Sequence, residues 1–313
     1  MLVCCGDALI DMIPHSGNGE SLIKPVSGGA IFNTAIALGR LGVDVAMLTG
    51  LSTDRFGEQL AKDLRTSGVN TELCVWRDNP TTLAFVHLVN GQATYTFYDE
   101  NTAGRLVGVS DLPPVPTQAI AFYFGGISLC SEPAADTYAA LAEQQAGNAT
   151  IVLDPNIRPS FISDEQLYRN RLQRLFAVSD VVKVSDEDLE WLFPRYDSER
   201  ERVEYLRAEQ MGGTANLVVV TRGSEGAQAY LPDGSTVYVP AKKASVVDTV
   251  GAGDTFNAGL LASLQAAGEL KKSNISKMSA DTAIAALELA AGVAAITVSR
   301  EGANPPWASE LTR

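Results

Sequence analysis

Towards its C-terminal end the chain reads Asp248-Thr249-Val250-Gly251-Ala252-Gly253-Asp254, and apolar residues of helical spacing follow at Phe256, Leu260, Leu261 and Leu264. This pattern predicts a loop that ends in a helix, with Asp254 in the first helical turn. Small residues let a ligand approach the backbone closely. The unpaired amides of a first turn, together with the positive end of the helix dipole, form an anion site.

Asp254 is the chemically interesting member of this segment. A carboxylate beside an anion site is electrostatically unfavourable unless it has a task. General-base catalysis fits: Asp254 would take a proton from a nucleophile, while nearby amides hold the charge that develops on a phosphate. The same pattern also fits a plain helix N-cap, in which the carboxylate only binds backbone amides.

The composition is that of an ordinary soluble globular protein. The chain has 313 residues, of which 46% are hydrophobic and 19% are charged, which suffices for one large core or two modest ones. A formal net charge of −13 argues against non-specific nucleic-acid binding and against adhesion to anionic membranes. The N-terminus has no basic segment or cleavage site, and no uninterrupted run of about 18 apolar residues occurs, so we expect neither a signal peptide nor a membrane span.

The cysteines and histidines disfavour several kinds of site. The four cysteines lack paired metal-ligand spacing, and two of them, Cys4 and Cys5, are adjacent within an apolar run. We expect these two to pack as small hydrophobes in a reducing compartment, which predicts a cytoplasmic protein. His15 and His87 are the only histidines, so a histidine-based metal site or a Ser-His-Asp triad is disfavoured.

Continuous apolar blocks alternate with helical patterns along the chain. The blocks interpreted as buried strands cover residues 2–6, 43–50, 119–126, 150–154, 181–185 and 217–221. This alternation predicts one domain over residues 1–313, of the α/β class, with a doubly wound and mostly parallel sheet between helices. No repeat, low-complexity segment or interdomain linker interrupts it.

Polar residues gather where several of these strands end. A glycine turn before a predicted helix carries Asn33 one turn in, and Asp154, Asn156 and Arg158 follow the fourth block in a turn fixed by two prolines. Ligands of open α/β sheets bind beyond the carboxyl ends of the strands. Asp11, among apolar residues, is either a strand-end residue that reaches solvent or a ligand of a polyhydroxyl compound.

A hairpin of different character lies near the middle of the N-terminal half. Two β-prone runs flank Asn90-Gly91, the strongest short hairpin signal. We predict a small antiparallel sheet built from residues about 11–26 and about 81–105, which either covers a site as a lid or is a plain edge hairpin. Its half-exposed strands suggest a homodimer through the lid.

Two familiar nucleotide motifs are absent, namely G-x-x-x-x-G-K-[ST] and G-x-G-x-x-G. The order of polar motifs instead resembles that of the ribokinase-like (PfkB-type) carbohydrate kinase family, most closely its fructokinases, over essentially the whole chain. The motifs that carry this resemblance are Gly28-Gly29 with Asn33, Thr53-Asp54-Arg55-Phe56-Gly57, Asp154-Pro155-Asn156-Ile157-Arg158, Lys183-Val184-Ser185-Asp186-Glu187, Thr221-Arg222-Gly223 and the segment from Asp248 to Asp254.

The resemblance implies a ribokinase-like three-layer α/β/α fold and ATP-dependent phosphorylation of a sugar hydroxyl, with D-fructose giving fructose 6-phosphate. It implies Asp254 as the base, with the amides of Gly251, Ala252 and Gly253 around the transferring phosphoryl group. The sugar residues implied are Asp11, Gly28, Gly29, Asn33, Phe97, Arg158 and Asp254. The nucleotide residues implied are Ser185, Thr221, Gly223, Gly226, Gly251, Gly253 and Ala291. Asp154 or Glu187 would orient Mg²⁺, and backbone oxygens near Asp248, Val250 and Gly302 would bind K⁺.

Some alternatives stay open. Related enzymes often carry an arginine after the Phe-Tyr pair of the lid and an aspartate a few residues on, whereas here Asp99 follows directly, Gly104 stands near the later position and Arg105 is displaced. A negative Asp99 favours a neutral sugar over an acid sugar. Other candidates are a 2-keto-3-deoxygluconate, ribose or nucleoside kinase and a non-catalytic sugar-binding regulator. Arg158 either bridges phosphate oxygens or forms a surface salt bridge.

Overall fold

The computed structural model describes residues 1–17, 20–89, 92–212 and 217–311. The strands are, in chain order, β1 (Leu2–Cys5), β2 (Leu9–Gly17), β3 (Glu20–Gly28), β4 (Val45–Leu48), β5 (Gly50–Ser52), β6 (Val75–Arg77), β7 (Leu83–Val89), β8 (Gln92–Tyr98), β9 (Ala121–Gly125), β10 (Thr150–Asp154), β11 (Val181–Ser185), β12 (Leu217–Thr221), β13 (Ala227–Tyr230) and β14 (Thr236–Val239). The helices are α1 (Ala30–Arg40), α2 (Arg55–Thr66), α3 (Ala134–Gln145), α4 (Glu165–Val178), α5 (Asp186–Leu192), α6 (Glu199–Tyr205, continued by a π-helical turn over Leu206–Gln210), α7 (Ala252–Ala266), α8 (Lys272–Ile275) and α9 (Ala280–Val298).

The main sheet is mostly parallel, as the continuous apolar blocks predict. Within the described part of the chain its strand order is β14-β13-β12-β11-β10-β9-β1-β4. All neighbours from β4 to β12 pair in parallel, and only β13 and β14 add an antiparallel edge. Strands of such a sheet are buried on both faces, which explains why their sequences lack polar alternation.

Helices cover both faces of this sheet and give it two cores. Along β1, Leu2 and Cys4 face a core shared with α1, α2, α7 and α9, whereas Val3 and Cys5 face a core shared with α3, α4, α5 and α6. Successive strand residues point to opposite faces, so the adjacent cysteines enter different cores. Both are buried free thiols, as predicted. The three-layer α/β/α prediction is confirmed.

A small separate sheet has the strand order β3-β2-β7-β8 within the described residues. The β7–β8 hairpin is antiparallel as predicted, although its turn at Asn90-Gly91 lies outside the described residues. The two hairpins join through β2 and β7, where Ile10 pairs with Leu83 in parallel. The prediction of an antiparallel sheet is therefore wrong at this junction, and the sheet is mixed.

Asp54 connects the small sheet to α2. Its Oδ1 accepts hydrogen bonds from the backbone amides of Phe56 (2.9 Å) and Gly57 (2.8 Å) and from Thr81 Oγ1 (2.7 Å). Its Oδ2 accepts from the Thr81 amide at 2.9 Å. One N-cap carboxylate thus fixes both the start of α2 and the residue two positions before β7.

Helix α9 is long and apolar enough to cross a membrane by length and composition alone. Its residues Ala283, Leu287, Ala290 and Val293 are nevertheless buried in the protein. A Cβ at Gly259 of α7 would lie 2.6 Å from Ala290 Cα, so the two helices pack backbone against backbone. These contacts identify α9 as a core helix.

Candidate active site

The carboxyl ends of β1, β9, β10, β11 and β12 open onto a cavity of about 510 Å³. Most residues proposed from the sequence line it, although they come from distant parts of the chain. Those in the lining are Asp11, Gly29, Asn33, Phe97, Arg158, Ser185, Glu187, Thr221, Gly223, Val250, Gly251, Ala252, Gly253 and Asp254.

The Gly251 turn delivers Asp254 to this cavity. Gly251 is the N-cap of α7 and has a φ of 76°, a left-handed conformation that suits glycine. Asp254 lies in the first turn and is 9% exposed. Asn33 Nδ2 donates to its Oδ2 at 2.9 Å, and Thr34 Oγ1 donates to its carbonyl at 3.1 Å. Its carboxylate does not cap the helix, so the N-cap interpretation is wrong.

The protonation equilibrium of Asp254 suits a base that acts near neutral pH. Burial raises its pKa to about 7, the Asn33 hydrogen bond lowers it, and the charge of Asp154 raises it further. Proton transfer is most effective when the pKa of the base is near the working pH. Since Asn33 occupies Oδ2, Oδ1 is the oxygen that remains to take a proton.

The turn before Asp254 offers backbone donors. In the described part of the chain, the N–H groups of Gly251 and Gly253 have no acceptor. The Ala252 N–H donates to the Thr249 carbonyl at 3.3 Å, a long turn bond. Two of the three amides expected to bind an anion are thus free, at the positive end of α7.

Asp11, Gly28 and Gly29 form the inner wall of the cavity. A Cβ on Gly28 would lie 2.2 Å from Asp11 Oδ2, so Gly28 makes room for that carboxylate and does not line the cavity itself. Burial, and then the charge of Asp7, raises the pKa of Asp11 to about 7. Above them stands Phe97 of the small sheet, packed edge-on against Phe161 at 4.6 Å between ring centroids.

Arg158 and Ser185 also line the cavity. The Arg158 side chain is held by a bond from Nη1 to the Ile157 carbonyl (3.0 Å). Ser185 caps α5 by accepting from the Asp188 amide at 3.0 Å. The buried Asp188 carboxylate accepts in turn from the Ser185 amide (3.1 Å) and from the Ile157 amide (2.9 Å). Asp188 therefore fastens the turn after β10 to the end of β11.

Asp154 is not placed to orient a metal ion. It is 1% exposed and outside the cavity lining, and its oxygens accept from Lys183 Nζ (3.0 Å), Asn257 Nδ2 (2.7 Å) and the Asn156 amide (3.2 Å). The structure thus does not support the magnesium role expected for Asp154. Glu187 is exposed at the cavity wall and remains available. Among the described residues no group of three His, Cys, Asp or Glu is placed to hold a metal.

Asp248 brings two loops together. Its Oδ1 accepts from the Val250 amide (3.0 Å) and its Oδ2 from the Gly302 amide (2.9 Å), so the three residues expected near K⁺ are adjacent. Two residues expected near the nucleotide lie outside the cavity lining. Gly226 packs under the end of β14, where a Cβ would meet the Val239 carbonyl at 2.3 Å, and Ala291 is a buried residue of α9.

Asp99 does not face the main cavity, contrary to the expectation that it meets the sugar. It lines a smaller cavity of about 30 Å³ behind Asp7, together with Gly104 and Arg105. Thr82 Oγ1 donates to its Oδ1 at 2.9 Å, and Arg105 Nη1 lies 4.0 Å from its Oδ2. Arg105 therefore neutralises Asp99, and Asp99 gives no reason to exclude an acid sugar. Only the carboxylates that line the main cavity could disfavour one.

Several lining residues were missed by the sequence analysis. They are Asp7, Leu9, Ala30, Tyr95, Gly126, Ile127, Lys183, Asp186, Asp188 and Thr249. Asp7 follows β1 directly, so the strand-end rule that selected Asp154 would also have found it. Lys183 is a lone cation within an apolar strand, which is itself a signal, because buried lysines need a partner.

Residues 1–310 match the family model described as the pfkB family carbohydrate kinase. The chain belongs to this family. It is 48% identical over 279 residues to a fructokinase of Rhizobium leguminosarum bv. trifolii, covering 89% of this chain and 84% of that protein. The pfkB family member described here also resembles two solved fructokinases, each at 28% identity. That of Xylella fastidiosa with bound ATP has a TM-score of 0.90, with 99% of this chain and 96% of that chain covered. That of Vibrio cholerae O395, bound to fructose, ADP and a calcium ion, has a TM-score of 0.82, with 96% and 94% covered.

Proposed function

We propose that this carbohydrate kinase transfers the terminal phosphoryl group of ATP to fructose and yields fructose 6-phosphate. The observation that carries the proposal is the placement of Asp254, a carboxylate with a pKa raised to about 7 by burial, beside free amides at the start of α7. Fructokinases of known sequence and structure resemble the chain over most of its length.

The residues of the Gly251 turn have two separate roles, proton transfer and stabilisation of negative charge. Asp254 takes the proton of the attacking hydroxyl through Oδ1 while Asn33 holds Oδ2. The amides of Gly251 and Gly253 stabilise the charge on the phosphoryl oxygens. Phosphoryl transfer depends on positioning and charge stabilisation more than on covalent chemistry, so a base and two fixed donors suffice for this part of the site. Arg158 adds a guanidinium to the cavity, and its charge acts on Asp254.

The sugar binds at the inner wall and the nucleotide at the outer one. Asp11, Gly29, Asn33 and Arg158 hold the sugar hydroxyls, with Phe97 above them. The nucleotide runs past Ser185, Thr221 and Gly223, with its adenine towards Ala291. Six carboxylates line the cavity, and those of Asp7, Asp11 and Asp254 disfavour an acid sugar such as 2-keto-3-deoxygluconate.

Two cations accompany ATP in this proposal. Glu187, which is exposed at the cavity wall and free of the buried contacts that occupy Asp154, would hold a Mg²⁺ ion, which would supply positive charge to the phosphates. Backbone oxygens of the two loops joined by Asp248, near Val250 and Gly302, would hold K⁺. Hard oxygen donors of these kinds suit both ions.

The small sheet acts as a lid and as a dimer contact. Phe97 and Tyr95 on its inner face line the cavity, so movement of the sheet changes access to the sugar. Its two edge strands, β3 and β8, expose the apolar residues Leu22 (45%), Ile23 (50%) and Tyr98 (60%), which a second chain could contact. The four free cysteines agree with a cytoplasmic location.

A coupled assay of ADP release tests the substrate. The panel contains fructose, 2-keto-3-deoxygluconate, ribose and a nucleoside, and Asp254→Asn is the matched control for each. We expect fructose to give the highest kcat/KM, with the product identified by ³¹P NMR as the 6-phosphate. Higher activity with another compound would replace fructose, and sugar binding without turnover of any compound would favour the regulator.

A further inference from the structure

Asp7 is a cavity residue that the proposed mechanism leaves unused. It follows β1 and is fastened to the start of α1 from two sides: its carbonyl accepts from the Phe32 amide at 3.1 Å, and its Oδ2 accepts from the Ala30 amide at 2.7 Å. These bonds fix the position and the orientation of the carboxylate. A side chain held so firmly is suited to recognition.

The second oxygen of Asp7 has no partner. Oδ1 is buried and makes no hydrogen bond within the described part of the chain. A Cβ on Gly126 would lie 2.5 Å from this oxygen, and Gly126 lines the main cavity. The missing side chain of Gly126 therefore makes room for Oδ1, which packs against a part of the backbone that lines the main cavity. Buried acceptors without a partner are rare and costly, so this one calls for a ligand.

We propose that Asp7 is a further substrate-binding residue, whose Oδ1 accepts a hydrogen bond from a sugar hydroxyl at the inner end of the cavity, beside Asp11. The inference rests on the proposed function, because it takes the ligand to be a sugar. The sugar would then contact two neighbouring carboxylates, of Asp7 and Asp11, in place of one. The site would prefer a substrate with adjacent hydroxyls at that end.

The electrostatics favour a hydroxyl over a cation at this position. Burial raises the pKa of Asp7 to about 6, and the charge of Asp7 contributes to the raised pKa of Asp11. No third His, Cys, Asp or Glu joins them in a metal-binding group among the residues that the structure describes. A polyol supplies the donors that these oxygens lack without bringing a further charge into the cavity.

Asp7→Asn tests the proposal while leaving the α1 contact intact. The amide oxygen can still accept from the Ala30 amide, but the acceptor at Oδ1 becomes an NH₂ donor. We expect kcat/KM for fructose to fall by about 10- to 100-fold, the loss of one hydrogen bond to a charged group, with the KM for ATP unchanged. Ser131→Ala is the matched control, because Ser131 lines only the small cavity behind Asp7.

Monodeoxy analogues of fructose identify the hydroxyl. In the wild type, removal of the hydroxyl that Asp7 binds should cost a similar factor, and in Asp7→Asn the same removal should cost little more. Equal losses for every analogue in both proteins, or an unchanged KM for fructose in Asp7→Asn, would overturn the role of Asp7. Thermal unfolding of each variant establishes that it is folded.

A second variant keeps the question open to test if Asp7→Asn does not fold. Gly126→Ala keeps the charge of Asp7 but places a Cβ 2.5 Å from Oδ1, which displaces that oxygen, so it should produce the same analogue pattern. If the wild type prefers another sugar, the proposed substrate fails, and the same cycle with deoxy forms of that sugar still decides the role of Asp7.

Discussion

Asp254→Asn should make the protein more stable and nearly inactive at once. The pKa of Asp254 rises from 3.8 to about 7, mainly through burial of the charge. At about 1.36 kcal/mol per pKa unit, the buried charge costs about 4 kcal/mol of stability above pH 7, which is the largest gain that its removal can give. The amide oxygen of an asparagine can still accept the Asn33 hydrogen bond, so no contact is lost.

The sign of the effect fixes its pH window. The folded state holds the Asp254 proton up to about pH 7, whereas an unfolded chain releases it above pH 3.8. Unfolding between these values releases a proton, so the contribution of Asp254 to stability falls as the pH rises. The difference in unfolding free energy between variant and wild type should therefore grow from pH 4 to pH 7 and then level off.

Urea unfolding at pH 5, 6, 7 and 8 measures this difference. Asp254→Ala serves as the control, because it removes the same charge but leaves Asn33 Nδ2 without its acceptor. We expect it to show the same pH dependence with a lower stability throughout. Turnover of Asp254→Asn should fall by roughly 10²- to 10⁴-fold, the range for removal of a general base, with a smaller change in sugar affinity.

Two results would refute the reasoning. A variant that is no more stable than the wild type at pH 8 would mean that the buried charge is compensated by contacts that the structure does not contain. A variant with wild-type turnover would remove Asp254 from the base role, whatever its stability.

Further predictions concern the pH profile, the conformation of Gly251 and the ion pair between Lys183 and Asp154. The kcat/KM should fall about tenfold per pH unit below pH 7, since the base must lose its proton first; a flat profile from pH 5 to 8 would contradict this. Gly251→Ala should destabilise by more than about 1 kcal/mol, because its φ is 76° and the new Cβ would lie 2.5 Å from Ala303 Cβ. Gly147→Ala, with no atom within 4 Å of the added Cβ, is its control in a thermal melt, and equal melting temperatures would be inconsistent with strain. Lys183→Met should cost about 3–5 kcal/mol in urea unfolding by leaving Asp154 unpaired, and the double variant with Asp154→Asn should recover part of it; no recovery would show that packing dominates.

Local patterns placed part of the candidate site. The polar residues around Asp154, Ser185 and Thr221 end or follow apolar blocks, and the carboxyl ends of parallel strands lie on one edge of a sheet. Asn33 and Asp254, 221 positions apart, lie instead in the first turns of α1 and α7, and their 2.9 Å contact agrees with the family resemblance that assigned both to the sugar. Gly28 was predicted to bind the sugar. It lies in the right region, but its role is to make room for the Asp11 carboxylate.

The wrong and missing predictions share a physical cause. Contacts between segments that are distant in sequence produce no pattern in the local sequence. The sequence cannot indicate that Lys183 neutralises Asp154, and so the carboxylate was taken for a metal ligand. Each hairpin of the small sheet could be predicted, but not the parallel join between Ile10 and Leu83. The short helix Lys272–Ile275 could not be predicted, because one helical turn has no periodicity to detect.

The bonds of Asp54 have a consequence for how substrates enter. Asp54 holds Thr81 through both its amide and its hydroxyl. A tilt of β7 and β8 would therefore have to hinge between Thr81 and the start of β7, while α2 stays in place. Loss of this carboxylate would release helix and strand together. A substitution of Asp54, which contacts neither sugar nor nucleotide, would then shift Phe97 on the small sheet. Water would gain access to the phosphoryl group and compete with the sugar hydroxyl for it.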